Sequence, residues 1–310
     1  MIERDYENVC YLQFDHFQQF PNVIHGLFTR KGGYSTGPYR GLNSLGALKS
    51  GENIDNVIRN RQLAMQALGI LDYPCVTLWN VHGAEVAIPD IRGNWRTDWA
   101  YHSFYQQPWT PESLHKADAL IIHEPGVALA LSFADCAPIV LYDSVEHVLA
   151  LVHGGWRGTA RGVVMASVEA MTKHFGSHPS NIYAGIGPAI GSCCYEITES
   201  VYQLFTGQLQ FDDVPTREEY GKHVREALVC FRSQHSDHES LYLDLSVTNR
   251  NQLLMAGLMP EHIEVSGICT GCNTDRFFSH RKEHGKTGRF PVIVALRASV
   301  SEGESDALTL

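Results

Sequence analysis

Residues 133–158 contain the side chains whose chemistry is most specific. Cys136 follows one apolar segment, and His153 lies near the end of a later one, directly before a glycine-rich turn. Two apolar runs, residues 139–142 and 148–152, flank a short polar turn, and we expect them to pair antiparallel. This pairing brings a thiol and an imidazole to neighbouring strand ends. The two groups could bind a metal ion or act as a nucleophile and its base.

A third candidate ligand is His82, which ends a predicted strand that begins at Cys75. With Cys136 and His153 it would form a set of nitrogen, sulfur and nitrogen donors. Three protein ligands leave the fourth position of a tetrahedral zinc ion open, as in catalytic rather than structural sites. A lone histidine at a strand end more often makes a structural hydrogen bond, so the spacing alone leaves both interpretations open.

The glycine-rich turn after His153 also indicates an anion site. It leads into a predicted helix, and Arg157 lies beside it. The free N–H groups and the dipole at a helix N-terminus favour a bound anion. Turns of this kind are common, so the signal is weak by itself. A second glycine-punctuated loop, which contains Arg30 and is closed by Asn43, has the length of a binding loop.

Composition excludes several classes of protein. The chain has 310 residues, of which 44% are hydrophobic and 19% charged. Its net charge of −10 and its lack of any lysine or arginine run argue against binding to nucleic acid. The N-terminus lacks the apolar segment of a signal peptide, and no apolar run has the length of a membrane span. We therefore expect a cytoplasmic protein with reduced thiols.

The 8 cysteines include two close pairs besides Cys136. Cys193 and Cys194 are adjacent, and Cys269 and Cys272 form a CxxC motif. A zinc ribbon needs a second CxxC pair, which the sequence lacks, and adjacent residues rarely share one metal ion comfortably. We therefore predict a structural role for the adjacent pair, and we expect the CxxC pair to be neither a zinc ribbon nor a thioredoxin-like motif, since loop-like residues follow it.

The spacing of apolar residues predicts the main elements. Apolar positions recur with helical period over residues 54–68, with Gly69 as the C′ residue, and this helix contains Asn60 and Arg61. Those two polar residues belong either to a solvated face or to a site. Residues 119–122 and 127–133 are predicted strands around a turn, and residues 90–115 read as an insertion or lid.

The pattern of elements predicts an α+β (α/β) fold with mixed sheets rather than a doubly wound parallel sheet, because hairpin-like strand pairs alternate with about five helices. No linker divides the chain, and the candidate ligands lie far apart in sequence. We therefore expect one domain over residues 1–310, with an irregular N-terminal extension (1–24) and a frayed tail (300–310).

Several motifs, in the same order, resemble those of the YfiH/YlmD family of laccase-domain proteins, also described as multicopper polyphenol oxidases. The resemblance covers residues 25–296. The most specific motifs are Ala-Asp-Cys-Ala-Pro at 134–138, His-Gly-Gly-Trp-Arg-Gly at 153–158, and the segment from Gly-Pro to Tyr-Glu at 187–196. Supporting matches lie at residues 28–33, 60–61, 81–83 and 278–289.

The resemblance implies a single YfiH-like domain with central sheets and outer helices, and a zinc ion held by His82, Cys136 and His153. It also implies phosphorolysis of adenosine, inosine and methylthioadenosine, together with deamination of adenosine. The expected partners are therefore a small-molecule nucleoside and phosphate, with neither nucleic acid nor a membrane. Zinc lowers the pKa of a bound water towards ~7, which makes an attacking hydroxide available for deamination.

Further roles follow from the matched motifs. Arg30 and Arg157 are candidates for binding phosphate or substrate, and the resemblance adds Asn43 and Arg61 to the substrate-binding set. Either Asp135 or Glu196 could shuttle the proton, although Asp135 could equally orient a ligand histidine. Two segments depart from the family pattern: Asn80 replaces a glutamine, and Gly-Glu-Asn at 51–53 replaces Gly-Asp-Asp.

Three other functions remain open at the level of sequence. A copper polyphenol oxidase is one, although the 16 histidines include no His-x-His pair that would group several copper ions. A metal-free hydrolase with Cys136 as nucleophile and His153 as base uses the same residues. A non-enzymatic protein that kept the fold is the third.

Overall fold

The computed structural model describes residues 1–45, 51–89, 114–234 and 239–298. In chain order, its strands are β1 (Ile2–Tyr6), β2 (Val9–Gln13), β3 (Val23–Phe28), β4 (Cys75–Val76), β5 (Val86–Ala87), β6 (Ala119–Ile122), β7 (Ala128–Phe133), β8 (Ala137–Asp143), β9 (Leu149–Gly154), β10 (Ile182–Ile186), β11 (Glu196–Ile197), β12 (Cys230–Gln234), β13 (Glu239–Leu243), β14 (Ile263–Val265) and β15 (Phe290–Leu296). Its α-helices are α1 (Ile54–Ala67), α2 (Trp156–Ala160), α3 (Val163–Phe175), α4 (Glu199–Thr206), α5 (Glu218–Ala227) and α6 (Leu245–Met255).

The strands form two six-stranded mixed sheets and a smaller third one, which confirms the predicted α+β class. The first sheet has the order β1-β2-β3-β15-β7-β4, and the second has the order β14-β10-β8-β9-β6-β5. Most neighbours are antiparallel, but β4 pairs parallel with β7, β5 with β6, and β10 with β14. Strands β11, β13 and β12 form the third sheet.

The two large sheets pack against each other because their central strands are apolar on both faces. Leu149 and Leu151 of β9 contact residues of the first sheet, whereas Ala150 and Val152 of the same strand pack against α3. Side chains alternate along a strand, so an unbroken apolar run fills two cores at once. Each fully buried leucine contributes about 1.5–3 kcal/mol from burial. The helices therefore cover the outer faces of a central double layer.

Helix α1 covers the outer face of the first sheet, where Leu63 and Ala64 pack with residues of β7 and β15. It begins after Asn53, whose side chain accepts a hydrogen bond from the Asp55 N–H, and Gly69 follows with a φ of 69°. The predicted helix and its C′ glycine are confirmed. In the described ranges, none of the helices has both the length and the apolar character needed to cross a bilayer.

The predicted hairpin around residues 139–152 is confirmed, since β8 and β9 pair antiparallel with Pro138 opposite His153. Strands β6 and β7 also exist, but they belong to different sheets, so the chain between them crosses from one layer to the other. The expectation that residues 1–24 are irregular is wrong. They form β1, β2 and the start of β3, because Val9, Cys10 and Leu12 bury their side chains in the cores.

Two predicted segments cannot be compared with the structure. Residues 90–113, most of the expected lid, lie outside the described residues, and so do residues 299–310, which include the expected frayed tail.

Candidate active site

The structure brings together the three candidate metal ligands from three separate segments. A ring nitrogen of His82, one of His153 and the sulfur of Cys136 all lie within 4.8 Å of one another. Cys136 lies between β7 and β8, and His153 lies on β9 opposite Pro138. The antiparallel register therefore sets the distance between thiol and imidazole. Their role as metal ligands stays a prediction.

Asp118, which no motif in the sequence marked, fixes the orientation of His153. Its Oδ1 lies 2.9 Å from Nδ1 of His153, and both residues are buried. Because Nδ1 is engaged by the carboxylate, Nε2 is the ring nitrogen left for a metal ion. Burial raises the pKa of Asp118, but the hydrogen bond from His153 and the backbone N–H of Gly83 outweigh it and hold the pKa below its ordinary value.

The same carboxylate positions His82. Backbone N–H groups of Val81, His82 and Gly83 donate to Asp118 at 3.3, 3.1 and 2.6 Å. His82 itself has a left-handed φ of 57°, and its carbonyl accepts a hydrogen bond of 2.8 Å from Nη1 of Arg161. The prediction that His82 ends a strand is therefore wrong. Strand β4 ends at Val76, and residues 81–83 then turn around the buried carboxylate of Asp118.

Cys136 and His153 shift each other's pKa in opposite directions. Burial alone would raise the pKa of Cys136, but the neighbouring imidazoles of His153 and His82 lower it to about 6. Burial would likewise lower the pKa of His153, but the Cys136 sulfur and the Asp118 carboxylate raise it to about 10. The geometry thus favours a thiolate at neutral pH, and the thiolate is the form that ligates metals and attacks electrophiles.

These residues fit a zinc ion. Two imidazoles and a thiolate are donors that zinc prefers, and a buried carboxylate behind a ligand histidine is common at such sites. The position of Gly155 supports the same conclusion. A Cβ atom there would lie 2.9 Å from Nδ1 of His82 and 3.0 Å from Sγ of Cys136, so a side chain would press on two of the candidate ligands. Glycine keeps this space open.

The three residues lie in a cavity of about 580 Å³. Its described lining combines apolar and aromatic surface with cationic groups. The apolar and aromatic residues are Leu45, Leu78, Trp79, Ala134, Trp156 and Tyr195, and the basic residues besides His82 and His153 are Arg157, His280, Arg281 and Arg289. A volume of this size is within the usual range for small-molecule sites.

Three guanidinium groups therefore line one pocket, although the sequence selected only Arg157. Arg157 lies over the Trp156 ring at 4.8 Å. Arg281 donates through Nη1 to the Glu196 carbonyl at 2.7 Å, and Arg289 donates to the Gly288 carbonyl at 2.9 Å. Only the 278–289 motif match could have pointed to Arg281 and Arg289. Clustered arginines that keep further donors are suited to bind an oxyanion.

The expected proton carriers are placed differently. Asp135 lines the pocket, but its Oδ1 accepts from Thr270 and its Oδ2 from the Arg281 N–H, both at 2.7 Å. Asp135 therefore links the loops that contain Thr270 and Arg281. The carboxylate that contacts a candidate ligand histidine is that of Asp118. The Glu196 carboxylate accepts a hydrogen bond from Ser240 and is not among the described residues of this cavity.

Three further candidates are not among the described residues that line the cavity, namely Arg30, Asn43 and Arg61. Their side chains instead bind neighbouring segments. Arg30 forms an ion pair of 2.9 Å with Glu283, and Asn43 accepts from the Arg289 N–H at 2.9 Å. Arg61 is fully buried and donates through Nε to the Ser44 carbonyl at 2.8 Å. Substrate contacts by these three residues stay predictions.

Two related expectations can be settled. The alternative that Asn60 and Arg61 belong to a solvated helix face is wrong, because both are fully buried. Of the two departures from the family pattern, Asn80 lines the cavity, whereas Asn53 caps α1. Only the change at Asn80 therefore lies directly at the pocket.

Comparison with known proteins assigns the family. A family model described as multi-copper polyphenol oxidoreductase laccase matches residues 24–297. The chain belongs to this family. The purine nucleoside phosphorylase YlmD of Geobacillus stearothermophilus is 34% identical over 281 residues, which cover 90% of this chain and 92% of that protein. A purine nucleoside phosphorylase of Bacteroides thetaiotaomicron is 33% identical and covers 90% of this chain and 93% of its own.

Solved structures of family members share the fold. The crystal structure of the Bacillus licheniformis hypothetical protein YfiH has a TM-score of 0.75 and 30% identity, covering 95% of this chain and 99% of its own. That of YlmD from Geobacillus stearothermophilus also has a TM-score of 0.75, with 31% identity, covering 95% of this chain and 98% of its own. The expected YfiH-like fold is thus confirmed.

Proposed function

We propose that this protein is a zinc-dependent purine nucleoside phosphorylase that acts on adenosine, inosine and methylthioadenosine and also deaminates adenosine. The observation that carries the proposal is the position of His82, Cys136 and His153 inside a cavity that also contains three arginines. The names of the relatives in the family support the same reaction.

The aromatic wall of the cavity suits a purine. Trp79, Trp156 and Tyr195 contribute flat apolar surface, and Asn80 adds an amide that can donate and accept hydrogen bonds. Stacking of a base on an aromatic side chain is worth roughly 1–3 kcal/mol. The cavity of about 580 Å³ leaves room for a ribose and a phosphate beside the base.

The arginines suit the second substrate, phosphate. Phosphorolysis breaks the bond between C1′ and N9 of the nucleoside and forms a bond between C1′ and a phosphate oxygen. Arg157, Arg281 and Arg289 hold the phosphate by charge-assisted hydrogen bonds and reduce its repulsion from the other groups. The departing base must gain a proton at a ring nitrogen.

His280 is the side chain we assign to that proton. It lines the cavity, and its Nδ1 lies 3.3 Å from Nη2 of Arg289, so Nε2 is the ring nitrogen that we assign to proton transfer. Burial lowers the pKa of His280, and the charge of Arg289 lowers it further. A phosphate bound at Arg289 would offset that charge and favour the imidazolium form of His280, which can then donate its proton to the departing base. The sequence candidates for this role, Asp135 and Glu196, stay predictions beside His280.

The buried pair of Asp118 and His153 keeps the metal ligands in place. The carboxylate sets the ring orientation of His153 and holds the backbone of His82, so neither ligand must reorganise on metal binding. Zinc bound there would supply positive charge and acidify water at the floor of the cavity, the chemistry that deamination requires.

The direct test is turnover by the purified protein. Adenosine with phosphate should yield adenine and ribose 1-phosphate, and inosine should appear as the product of deamination. Cys136→Ala should abolish both reactions because it removes the thiolate ligand. Cys230→Ala, on β12 and outside the described lining of the cavity, is the matched control and should keep both activities. Unchanged turnover in Cys136→Ala would rule out the proposal.

Metal analysis separates zinc from copper. Protein purified without added metal should contain zinc, and removal by a chelator should abolish turnover until zinc is restored. Stoichiometric copper with a blue absorption band and oxidation of phenols would instead support the polyphenol oxidase that the family's name describes.

The coupled pair of Cys136 and His153 also favours a metal-free hydrolase as a second candidate. The lowered pKa of Cys136 and the raised pKa of His153 are those of a thiolate–imidazolium pair, in which the thiolate attacks and the imidazole carries the proton. Activity that survives exhaustive chelation would favour this candidate over the phosphorylase.

A further inference from the structure

Four cysteines outside the candidate active site converge on one point. The sulfurs of Cys193, Cys194, Cys269 and Cys272 all lie within 4.8 Å of one another. Sγ of Cys272 is 3.4 Å from that of Cys193 and 3.5 Å from that of Cys194. A tetrahedron of thiolates around zinc, with bonds of about 2.3 Å, has sulfurs about 3.8 Å apart. The four thiols are therefore spaced much as such ligands are.

Backbone pairing between two distant segments creates this cluster. Cys193 and Cys194 lie between β10 and β11, and the other two cysteines follow β14. Ala189 forms a parallel bridge with Cys269, and its carbonyl accepts a hydrogen bond of 3.0 Å from the Thr270 N–H. The sequence analysis considered the two cysteine pairs one at a time and did not include this pairing. The adjacent cysteines take the place of the second CxxC pair of a zinc ribbon.

Glycines on each segment leave room for the cysteines of the other. A Cβ atom at Gly191 would lie 3.3 Å from Cβ of Cys269, and one at Gly271 would lie 2.9 Å from Cβ and 3.1 Å from Sγ of Cys194. A side chain at position 271 would push the two segments apart, whereas one at position 191 would require Cys269 to shift by a few tenths of an ångström. The close approach of the thiols thus depends most on the glycine at position 271.

Backbone N–H groups point at one of the sulfurs. The Gly191 N–H donates to Sγ of Cys269 at 3.2 Å, and the Cys272 N–H also interacts with this sulfur. Hydrogen bonds of this kind offset the negative charge of a metal-bound thiolate and fix its direction. They are the supporting contacts that a thiolate metal site requires.

We propose that Cys193, Cys194, Cys269 and Cys272 bind a second zinc ion in a closed, structural site. Four sulfur ligands in tetrahedral arrangement favour zinc, and they leave no position open for water or substrate. This site is separate from the one at Cys136, and it stands or falls independently of the proposed reaction.

The four cysteines lie next to residues that form one wall of the active-site cavity, so a second ion would stabilise that wall. Tyr195 directly follows Cys194 and lines the active-site cavity. Thr270, between the other two cysteines, donates to Asp135, and Arg281 donates to the Glu196 carbonyl. An ion at the cluster would hold together the two segments that form this wall of the cavity.

The test is the zinc content of the reduced, full-length protein, measured by native mass spectrometry. The wild type should contain two zinc ions per chain. Cys272→Ser and Cys193→Ser should each lose one, Cys136→Ala should lose the other, and Cys136→Ala combined with Cys272→Ser should contain none. Cys230→Ser is the matched control and should keep both. One zinc in the wild type, unchanged in Cys272→Ser, would overturn the proposal.

Two further measurements on the wild type cover the case in which the variants fail to fold. Replacement of zinc by cobalt in the wild type should give the intense thiolate-to-cobalt absorption of a four-sulfur site, well above the absorption of a site with a single thiolate ligand. Peptide mapping after blocking free thiols at lysis should find all four cysteines reduced. A disulfide between Cys272 and either Cys193 or Cys194 in the isolated protein would contradict the site.

Discussion

Oδ1 of Asp118 lies 2.9 Å from Nδ1 of His153, and the carboxylate side chain is completely buried. The same carboxylate accepts hydrogen bonds from the N–H groups of His82 and Gly83, which places the His82 loop at the start of β6. One buried charge therefore aligns both histidines of the candidate metal centre. A buried carboxylate with this many donors is stable as an anion, so it stays fixed whether or not a metal is bound.

Asp118→Asn should lower the affinity for zinc by roughly 10–100-fold, the usual effect of removing the partner of a ligand histidine. The amide keeps the shape of the carboxylate but loses its charge and forces one N–H donor to face another. Competition with a chromogenic chelator measures the affinity. Asp143→Asn is the matched control, because Asp143 is also a buried aspartate that accepts backbone hydrogen bonds. Equal zinc affinity in the two variants would contradict this role.

Arg289→Gln should raise the KM for phosphate by roughly 10–100-fold, because a hydrogen bond to a charged group is worth about 1.5–3 kcal/mol. The KM for the nucleoside should change much less. Steady-state kinetics with each substrate varied in turn separate the two effects. Arg232→Gln, which removes an exposed arginine paired with Glu239, should leave both values unchanged. A change confined to the nucleoside would show that Arg289 does not bind phosphate.

His280→Gln should lower kcat for phosphorolysis by roughly 100-fold or more, the typical contribution of a general acid. Binding of both substrates should be nearly retained, since glutamine keeps a polar group at the position. His284→Gln removes an exposed histidine from the same loop and serves as the control. If the pH profile of kcat and its magnitude match those of the wild type, the proton has another source.

Acid should destabilise the fold through His25, far from the active site. His25 is buried next to Phe14 and Phe17, its Nε2 accepts from the Phe14 N–H, and burial lowers its pKa to about 3. The unfolded chain binds this proton near pH 6.5, so between pH 6.5 and 3 it holds more protons than the folded chain. The contribution of His25 to the free energy of unfolding is complete above pH 6.5. It falls by about 1.4 kcal/mol per pH unit as the pH drops from 6.5 to 3.

Urea unfolding at a series of pH values tests this effect. His25→Gln should be less stable at pH 7, because an uncharged amide replaces a stacked ring, but its free energy of unfolding should depend less steeply on pH below 6.5. His174→Gln, at an exposed position, should keep the wild-type slope. Parallel curves for all three proteins would assign the acid sensitivity to other groups.

Local patterns in the sequence determined several elements correctly. The two apolar runs around residues 139–152 predicted a hairpin. Successive side chains of a strand point to opposite faces of the sheet, so a strand that is apolar throughout must be buried on both faces. The helical spacing and Gly69 specified α1 and its end. Cys136 and His153 could be related to each other because a hairpin connects them directly, so their distance follows from a short and regular pairing.

Tertiary structure decided the contacts that depend on crossovers between the sheets. Asp118 and Arg161 bind the backbone of the His82 loop from different elements. No local sequence pattern marks such a residue, because the partners of its buried charge are backbone groups of a distant segment. Arg281 and Arg289 meet Arg157 only because the segment before β15 folds over the cavity. The four thiols of the second cluster come from segments more than 70 residues apart, joined by a bridge at Ala189. Residue types and spacing determine which groups are available, but pairing between distant strands determines which of them meet.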